Sequence, residues 1–191
     1  MKEISIGLLL GDLYAEKRAV NARLQFEQGI VHEGYLRHLY DDLFSNYCMS
    51  SPKIANRLPD KRTGLVHSRI SFKTYSLPCF NELYNLFYVD GSKVVPLNIG
   101  DLLTPLGLAY WICDDGNFDK TNRCIILSTN SFSFDEVQLL VSVLADKFGL
   151  KCTINKQGSA FRIRISRKSL AELQNLLKDI MPKAMMHKIG L

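Results

Sequence analysis

The stretch Ser5-Ile6-Gly7-Leu8-Leu9-Leu10-Gly11-Asp12-Leu13 is an apolar run with a single carboxylate near its end. A second stretch of the same form is Leu108-Ala109-Tyr110-Trp111-Ile112-Cys113-Asp114-Asp115-Gly116. The two predict short, buried helices over 4–14 and 105–115, each with an acid at its C-terminal end. The C-terminus of a helix carries a partial negative charge, so a carboxylate there favours a nearby cation. The two stretches therefore predict a duplicated unit whose acids hold a metal ion.

Gly7 and Gly11 lie four residues apart, on one face of the first predicted helix. Glycines at this spacing allow another helix to approach closely. We therefore expect the two motif helices to pack together and to bring Asp12 and Asp115 close to each other. The alternative stays open, because either motif alone is more typical of an ordinary core helix that ends in a surface acid.

The composition indicates a globular protein and argues against a membrane protein or a zinc protein. The 191 residues are 47% hydrophobic and 23% charged, which is typical of a globular chain. No apolar run is long enough to span a bilayer, and no signal or transit peptide is recognisable, so we expect a soluble protein without a membrane partner. The five cysteines form no C-x-x-C pair, which predicts buried free thiols. The four histidines lack metal-ligand spacing, which argues against a zinc site.

The rest of the chain repeats one order of elements twice. Alternating polar and apolar residues predict strands over 21–27, 65–75 and 161–166. β-Branched residues predict a strand over 124–129, and a turn at Gln157-Gly158 predicts another over 151–155. Apolar stripes predict helices over 31–47, 78–89, 134–148 and 170–181, with a Ser133–Glu136 capping box before the third and Ser169 as the cap of the last. We predict an α+β fold of two pseudo-twofold-related units, 1–97 and 98–191, that form effectively one body.

The outward faces of the predicted strands are basic. Their alternating positions hold Arg23, Gln25, Arg69, Lys73, Arg162 and Arg164, with Glu27 as the single acid. Arginine pairs with guanine and glutamine pairs with adenine in the major groove, which a two-stranded β-ribbon can enter. We interpret these faces as a DNA-binding surface. A solvated strand face is the alternative, although such faces are usually mixed in charge.

One lysine follows the elements that close each predicted half. These are Lys93 and Lys188, at comparable distances after Asp12 and Asp115. A lysine next to a metal–phosphate centre stabilises the negative charge that develops there. Each of them, taken alone, is more typical of a surface lysine.

Taken together, these features resemble the LAGLIDADG homing endonucleases, in particular the single-chain, two-motif type encoded in organellar introns. The likeness rests on both motifs, on Leu24-Gln25-Phe26-Glu27, on Leu103-Thr104-Pro105 and on Met185-Met186-His187-Lys188, and it covers nearly the whole chain. It implies two αββαββ units that form a saddle of antiparallel sheets straddling DNA. It also implies a site-specific endonuclease that hydrolyses one phosphodiester per strand across the minor groove.

The resemblance also implies roles for individual residues. The implied catalytic residues are Asp12, Asp115, Lys93, Lys188 and Gln25, with Ser128 as the second-half counterpart of Gln25. Asp12 and Asp115, with the carbonyls of Gly11 and Asp114, are the implied ligands of Mg²⁺, and Mn²⁺ is the implied substitute. The implied DNA-binding residues are Arg23, Gln25, Arg69, Ser71, Lys73, Ser128, Asn155, Arg162, Arg164 and Ser166. Leu13 and Asp114 depart from the family pattern.

The implied partner is double-stranded DNA with a long asymmetric target site, bound by a monomer, with intron RNA as a second partner. The implied location is an organelle, the mitochondrion ahead of the chloroplast. An intron RNA maturase, or a DNA-binding module that does not cleave, is the main alternative function. A transcription regulator on the same fold, or an unrelated α/β protein with coincidental motifs, is a further alternative.

Overall fold

The computed structural model describes residues 1–59 and 62–191, and its elements follow one order twice. The first copy consists of α1 (Lys2–Leu10), β1 (Tyr14–Arg18), β2 (Asn21–Gly29), α2 (Glu33–His38), β3 (Lys53–Asn56), β4 (Ser68–Lys73) and α3 (Asn81–Phe87). The connection contains β5 (Tyr88–Val89), β6 (Ser92–Lys93) and α4 (Ile99–Leu102). The second copy consists of α5 (Pro105–Asp115), β7 (Gly116–Asp119), β8 (Cys124–Leu127), α6 (Phe134–Phe148), β9 (Cys152–Gln157), β10 (Ala160–Ile165) and α7 (Leu170–Leu177).

Each copy builds a four-stranded antiparallel sheet with the same strand order. The orders are β1-β2-β4-β3 and β7-β8-β10-β9. In both sheets two hairpins are joined through their second strands, which become the two central strands. The predicted α+β fold with two repeats of antiparallel sheet and helix is therefore confirmed.

Two compact units divide the chain. One consists of residues 12–84 and contains the first sheet. The other consists of residues 1–11 and 85–191 and contains the second sheet together with α1, which packs on α5. The repeat halves at 1–97 and 98–191 stay a prediction.

The inner face of each sheet is apolar and covered by helices. In the first sheet, the Phe26 ring stacks on Phe72 with centroids 4.3 Å apart, and Phe44 covers Phe26 at 4.7 Å. In the second sheet, α6 packs on β9 and β10, where Ile163 and Ile165 are buried. The alternation predicted for β2, β4 and β10 is confirmed, because the apolar set on each strand faces this core.

Two helices begin and end where local sequence predicts. Pro105 stands in the first turn of α5, and the Thr104 side chain accepts a hydrogen bond from the N–H of Gly107. The Ser133–Glu136 capping box opens α6, and Gly149 closes it in the left-handed region at φ +67°. The Glu136 carboxylate also accepts the Val95 N–H at 2.8 Å. Burial raises the pKa of Glu136, but the N–H donors of Val95 and Ser133 and the Ser133 hydroxyl outweigh it and lower that pKa.

The predicted first helix is too long. Helix α1 ends at Leu10, and Gly11 turns the chain so that 14–18 become strand β1, which the residue pattern did not predict. Strand β7 was missed in the same way. Both strands exist because they pair with the strand that follows, from Tyr14 opposite Gln25 and from Gly116 opposite Leu127. Strand pairing depends on contacts with another segment, so it cannot be predicted from the residue pattern of a short polar segment alone.

Other boundaries differ in detail. The predicted helix 31–47 is one helical stretch that changes from 3₁₀ through α2 to a π-helical turn at Leu39–Phe44. Helix α7 ends at Leu177 rather than at 181, and a 3₁₀ segment follows over Lys183–Ile189. The Ser169 side chain does not cap α7, because its Oγ accepts the N–H of Lys151 at 2.8 Å instead.

The five cysteines all lie within the described residues, and none of them forms a disulfide. Cys113 and Cys124 are buried, but Cys79 is exposed, so the prediction of burial is wrong for that residue. Burial raises the pKa of Cys48 to about 11 and that of Cys152 to about 12, which keeps both thiols neutral. Across the described chain, none of the helices combines the length and the apolar character needed to cross a membrane.

Candidate functional site

Helices α1 and α5 meet backbone to backbone through their glycines. A Cβ placed on Gly7 would lie only 1.9 Å from the carbonyl oxygen of Gly107. A Cβ on Gly11 would lie 2.6 Å from the Cβ of Asp114 and 2.8 Å from its Oδ2. The predicted packing of the two motif helices is thus confirmed. It holds the C-terminal end of α1 against the side chain of Asp114.

The last turn of α5 concentrates negative charge. Asp114 and Asp115 are its final residues, and both are half-buried. The Asp115 carbonyl accepts the N–H of Ser128 at 3.1 Å. Gly116 then turns into β7, at a place where a Cβ would lie 2.5 Å from the Ile112 carbonyl oxygen. Two carboxylates at the negative end of a helix favour a cation beside them.

Asp12 follows Gly11 directly and is exposed. Its Oδ2 accepts a hydrogen bond from Nε2 of Gln28, on β2, at 2.9 Å. Sequence reasoning missed Gln28 and singled out Gln25, whose amide donates to Glu16 Oε2 at 2.7 Å. In the β1–β2 hairpin Gln25 lies opposite Tyr14, so Asp12 lies beyond Gln25, level with Glu27 and beside Gln28. Extending this register would have placed Asp12 opposite Glu27, the residue before Gln28, but only if β1 were known.

Hairpin register also changes the counterpart of Gln25. Gln25 lies opposite Tyr14, two residues after Asp12, whereas the residue opposite Asn117, two residues after Asp115, is Ile126. Ser128 is therefore not the counterpart of Gln25. Equal sequence offsets do not give equal positions, because the first hairpin has longer strands and a shorter turn than the second.

Lys93 reaches the C-terminal end of α1. It follows the tight turn between β5 and β6, in which Asp90 and Gly91 adopt positive φ angles of 50° and 77°. Its Nζ donates to the carbonyl oxygen of Gly11 at 2.7 Å. An ammonium group at this point stabilises the negative end of the helix.

Lys188 lies in the 3₁₀ segment Lys183–Ile189, which packs against α5 and β7. The segment ends at Gly190, with φ +77°, where a Cβ would lie 2.6 Å from the Phe118 ring. Lys188 is half-buried. Lys188 therefore belongs to a segment that packs on both α5, which ends at Asp115, and β7, which begins at Gly116.

The outer face of the first sheet carries the predicted polar side chains Arg23, Gln25, Arg69, Ser71 and Lys73, but it contains two acids rather than one. Glu16, on the missed strand β1, lies opposite Arg23 and accepts from Arg23 Nε at 2.7 Å and from Nη2 at 2.6 Å. Glu27 accepts from Arg57 Nη2 at 2.9 Å and from Arg69 Nη1 at 2.7 Å.

Glu16 remains ionised in this surrounding. Burial raises its pKa, but the hydrogen bond from Arg23 and the charges of Arg23, Arg18 and Lys73 outweigh it, so that the pKa lies below its ordinary value. A carboxylate embedded among cations in this way is a fixed acceptor at neutral pH.

The arginines of the second sheet donate hydrogen bonds to neutral acceptors. Arg162 Nε donates to Asn130 Oδ1, and Arg164 Nε donates to Cys124 Sγ, both at 3.2 Å. Asn155 is exposed on β9, opposite Arg162. Ser166 has left the strand, since β10 ends at Ile165 and the Ser166 Oγ accepts the N–H of Lys168.

Comparison with known proteins gives a consistent result. A family model described as the LAGLIDADG DNA endonuclease family matches residues 2–173. The cytochrome b mRNA maturase bI2 of Debaryomyces hansenii is 34% identical over 100% of this chain and 73% of the relative. The maturase bI2 of Saccharomyces cerevisiae is 33% identical over 98% of this chain, which spans 46% of that relative.

One solved structure is similar over nearly the whole chain. It is described as the homing endonuclease I-WcaI bound to its DNA recognition sequence, and it matches with a TM-score of 0.90 at 28% identity. The match covers 98% of this chain and 84% of that one.

Proposed function

Because this chain belongs to the LAGLIDADG DNA endonuclease family, a family of DNA-cleaving enzymes, we propose that it is a site-specific, metal-dependent endonuclease that hydrolyses one phosphodiester per strand of duplex DNA across the minor groove. The observation that carries the proposal is the contact of Gly11 with Asp114. Each of these two residues directly precedes a motif acid, Asp12 or Asp115.

The donor set supports a hard divalent cation. In this proposal the carboxylates of Asp12 and Asp115 and the carbonyls of Gly11 and Asp114 hold Mg²⁺, which prefers oxygen ligands and keeps several waters. Lys93 uses one of the two lone pairs of the Gly11 carbonyl oxygen and leaves the other for a cation. When bound, the cation stabilises the attacking and leaving oxygens of an in-line displacement. Mn²⁺ is the expected substitute.

The surrounding side chains orient ligands and stabilise charge. Gln28 donates to Asp12 and so fixes the direction of its other carboxylate oxygen. The orienting role that the resemblance gives to Gln25 therefore falls to Gln28 in this proposal, and Gln25 remains a candidate for reading bases. Lys93 and Lys188 supply positive charge where the phosphate becomes more negative during cleavage.

The proposed substrate is a long, asymmetric DNA site, bound by a monomer through the outer faces of both sheets. The support is the basic, alternating surface of β2, β4 and β10 and the similarity to an endonuclease described as bound to its DNA. We propose an organellar location, with the mitochondrion ahead of the chloroplast.

A cleavage assay tests the proposal. The substrate is a plasmid that carries the intron-free exon junction of the gene containing this reading frame. We expect linearisation in Mg²⁺ and in Mn²⁺ and none in EDTA. Specific binding to the junction without any metal-dependent cut would contradict the nuclease and leave a binding module.

The names of two relatives favour a second function. Both bI2 proteins are described as mRNA maturases, so this chain is also a candidate for assisting the splicing of its own intron RNA. Splicing of that transcript, followed with and without the protein, measures this activity. If Asp12→Asn abolishes DNA cleavage but leaves splicing unchanged, the two functions use different parts of the surface.

A further inference from the structure

Two carboxylates on the outer face of the first sheet have no part in the proposed cleavage reaction. Glu16 and Glu27 lie among the arginines proposed to bind DNA. A carboxylate in such a surface repels the phosphate backbone and weakens binding to DNA of every sequence. Affinity therefore does not explain these two acids.

Glu16 fixes two potential base-reading side chains through one oxygen. Its Oε2 accepts from both Nε and Nη2 of Arg23 and from the amide of Gln25. Arg23 uses two of its five N–H groups in this contact and keeps three for a ligand. The contact also fixes which end of the Gln25 amide is the donor, and adenine recognition depends on that orientation.

Glu27 lies on β2, at the next outward-facing position after Gln25, and it also contacts two polar side chains. It accepts from Arg57, directly after β3, and from Arg69, on β4. Arg69 lies opposite Ala55, two residues before Arg57, so both arginines come from neighbouring strands of one hairpin. Each carboxylate thus holds two side chains of the types that read guanine or adenine.

An arginine whose guanidinium group is held by Glu16 or Glu27 cannot turn freely to the nearest phosphate, but it keeps N–H donors for a base edge. Arg23, together with Lys53 and Lys73, also lines an open cleft of about 420 Å³ on this face. We propose that Glu16 and Glu27 are positioning residues for sequence readout, which hold Arg23, Gln25, Arg57 and Arg69 in orientations suited to base edges. The inference rests on the proposed function of site-specific DNA binding.

The test compares Glu16→Gln and Glu27→Gln with a matched control, Glu33→Gln. Glu33 also pairs with an arginine, Arg37 at 2.7 Å, but it lies on α2 rather than on the sheet face. The full chain selects duplexes from a random-sequence DNA pool in EDTA, so that binding is read without cleavage. The selected sequences give the base preference at each position, and titration gives Kd for a selected and for an unrelated duplex.

We expect Glu16→Gln to bind the unrelated duplex several-fold more tightly, because a repulsive charge is gone. The ratio of the two Kd values should fall by about tenfold or more, the discrimination that one well-oriented bidentate contact provides. The base positions that relax should be those relaxed by Arg23→Ala and Gln25→Ala. Glu27→Gln should relax those of Arg57→Ala and Arg69→Ala, and Glu33→Gln should match the wild type.

Three results would overturn the inference. An unchanged base profile excludes positioning, and an equal loss of affinity for all sequences indicates a purely structural role. Relaxation at one cytosine alone indicates that Glu16 itself reads that base. A double variant is decisive, since Glu16→Gln should add nothing to Arg23→Ala at the position that Arg23 reads. If the wild type selects no sequence, the proposed function itself fails.

Discussion

At the scale of single residues, each motif acid has its own surroundings. Asp12 is exposed and accepts from Gln28, whereas Asp115 is half-buried at the end of α5, next to Asp114. Asp12 is the next residue after Gly11, and Asp115 is the next residue after Asp114 and the last of α5. Gly11 and Asp114 are in close contact. Carboxylates at the negative ends of two helices are suited to holding a cation from outside the chain.

Asp12→Asn and Asp115→Asn should each abolish double-strand cleavage. We expect the rate to fall by about 10³-fold or more, because a metal ion contributes several kcal/mol of charge stabilisation to such a reaction. Single-turnover cleavage of the target plasmid measures the rate, and titration in EDTA checks that binding is kept. Asp101→Asn, which changes an exposed acid on α4, is the control and should cleave normally. Full cleavage by either motif variant would refute the proposed metal site.

Lys93→Met should slow cleavage by about 10²-fold, the usual effect of removing one charge-stabilising donor from an active site. The matched control is Lys147→Met, since Lys147 Nζ also donates to a glycine carbonyl, that of Gly100, at 2.7 Å. Single-turnover rates at saturating protein separate this effect from binding. Equal rates for the two variants would assign Lys93 a structural role only.

At the scale of elements, the contact between α1 and α5 is the feature on which the candidate site depends. Glycines at positions 7 and 107 remove the side chains that would separate the helices, and Gly11 does the same beside Asp114. The geometry at the ends of both motif helices is therefore set by backbone contact. A single methyl group is enough to disturb it.

Gly7→Ala should destabilise the fold by about 1–3 kcal/mol or more, because the new Cβ would meet the Gly107 carbonyl oxygen and a packed interface relaxes poorly. Gly34→Ala is the control. Gly34 lies in α2, where an added Cβ would have nothing within 4 Å, so alanine should stabilise by up to about 1 kcal/mol. Urea unfolding gives both values, and a neutral Gly7→Ala would contradict the close contact.

At the scale of the whole molecule, the net charge of +5 is small, and its placement matters more than its size. The outer face of the first sheet holds Arg23, Arg69 and Lys73, and that of the second holds Arg162 and Arg164. The positive potential of such a face attracts the phosphates of a duplex, including where a single arginine is held towards a base edge.

Binding to an unrelated duplex should therefore depend steeply on salt. If about six or more phosphates are contacted, the affinity should fall by about 10³-fold or more between 50 and 200 mM salt, because bound counterions are released. Fluorescence anisotropy at several salt concentrations measures the slope. A flat response would show that the positive potential of these sheet faces does not attract the DNA backbone.

Local sequence alone determined much of this protein. Pro105, the Ser133–Glu136 box and Gly149 set the ends of α5 and α6 through contacts within one helical turn. The alternation on β2, β4 and β10 separated core faces from basic faces, since side chains in a strand point to opposite sides in turn.

The tertiary structure decided which residues meet. Only strand pairing creates β1 and β7, and only their register brings Gln28 rather than Gln25 to Asp12 and places Glu16 beside Arg23. Likewise, only helix packing brings Gly11 to Asp114, and only the position of the β5–β6 hairpin brings Lys93 to the Gly11 carbonyl. The physical reason is one of range: caps and alternation depend on neighbouring residues, whereas register and packing depend on contacts between residues far apart in the chain.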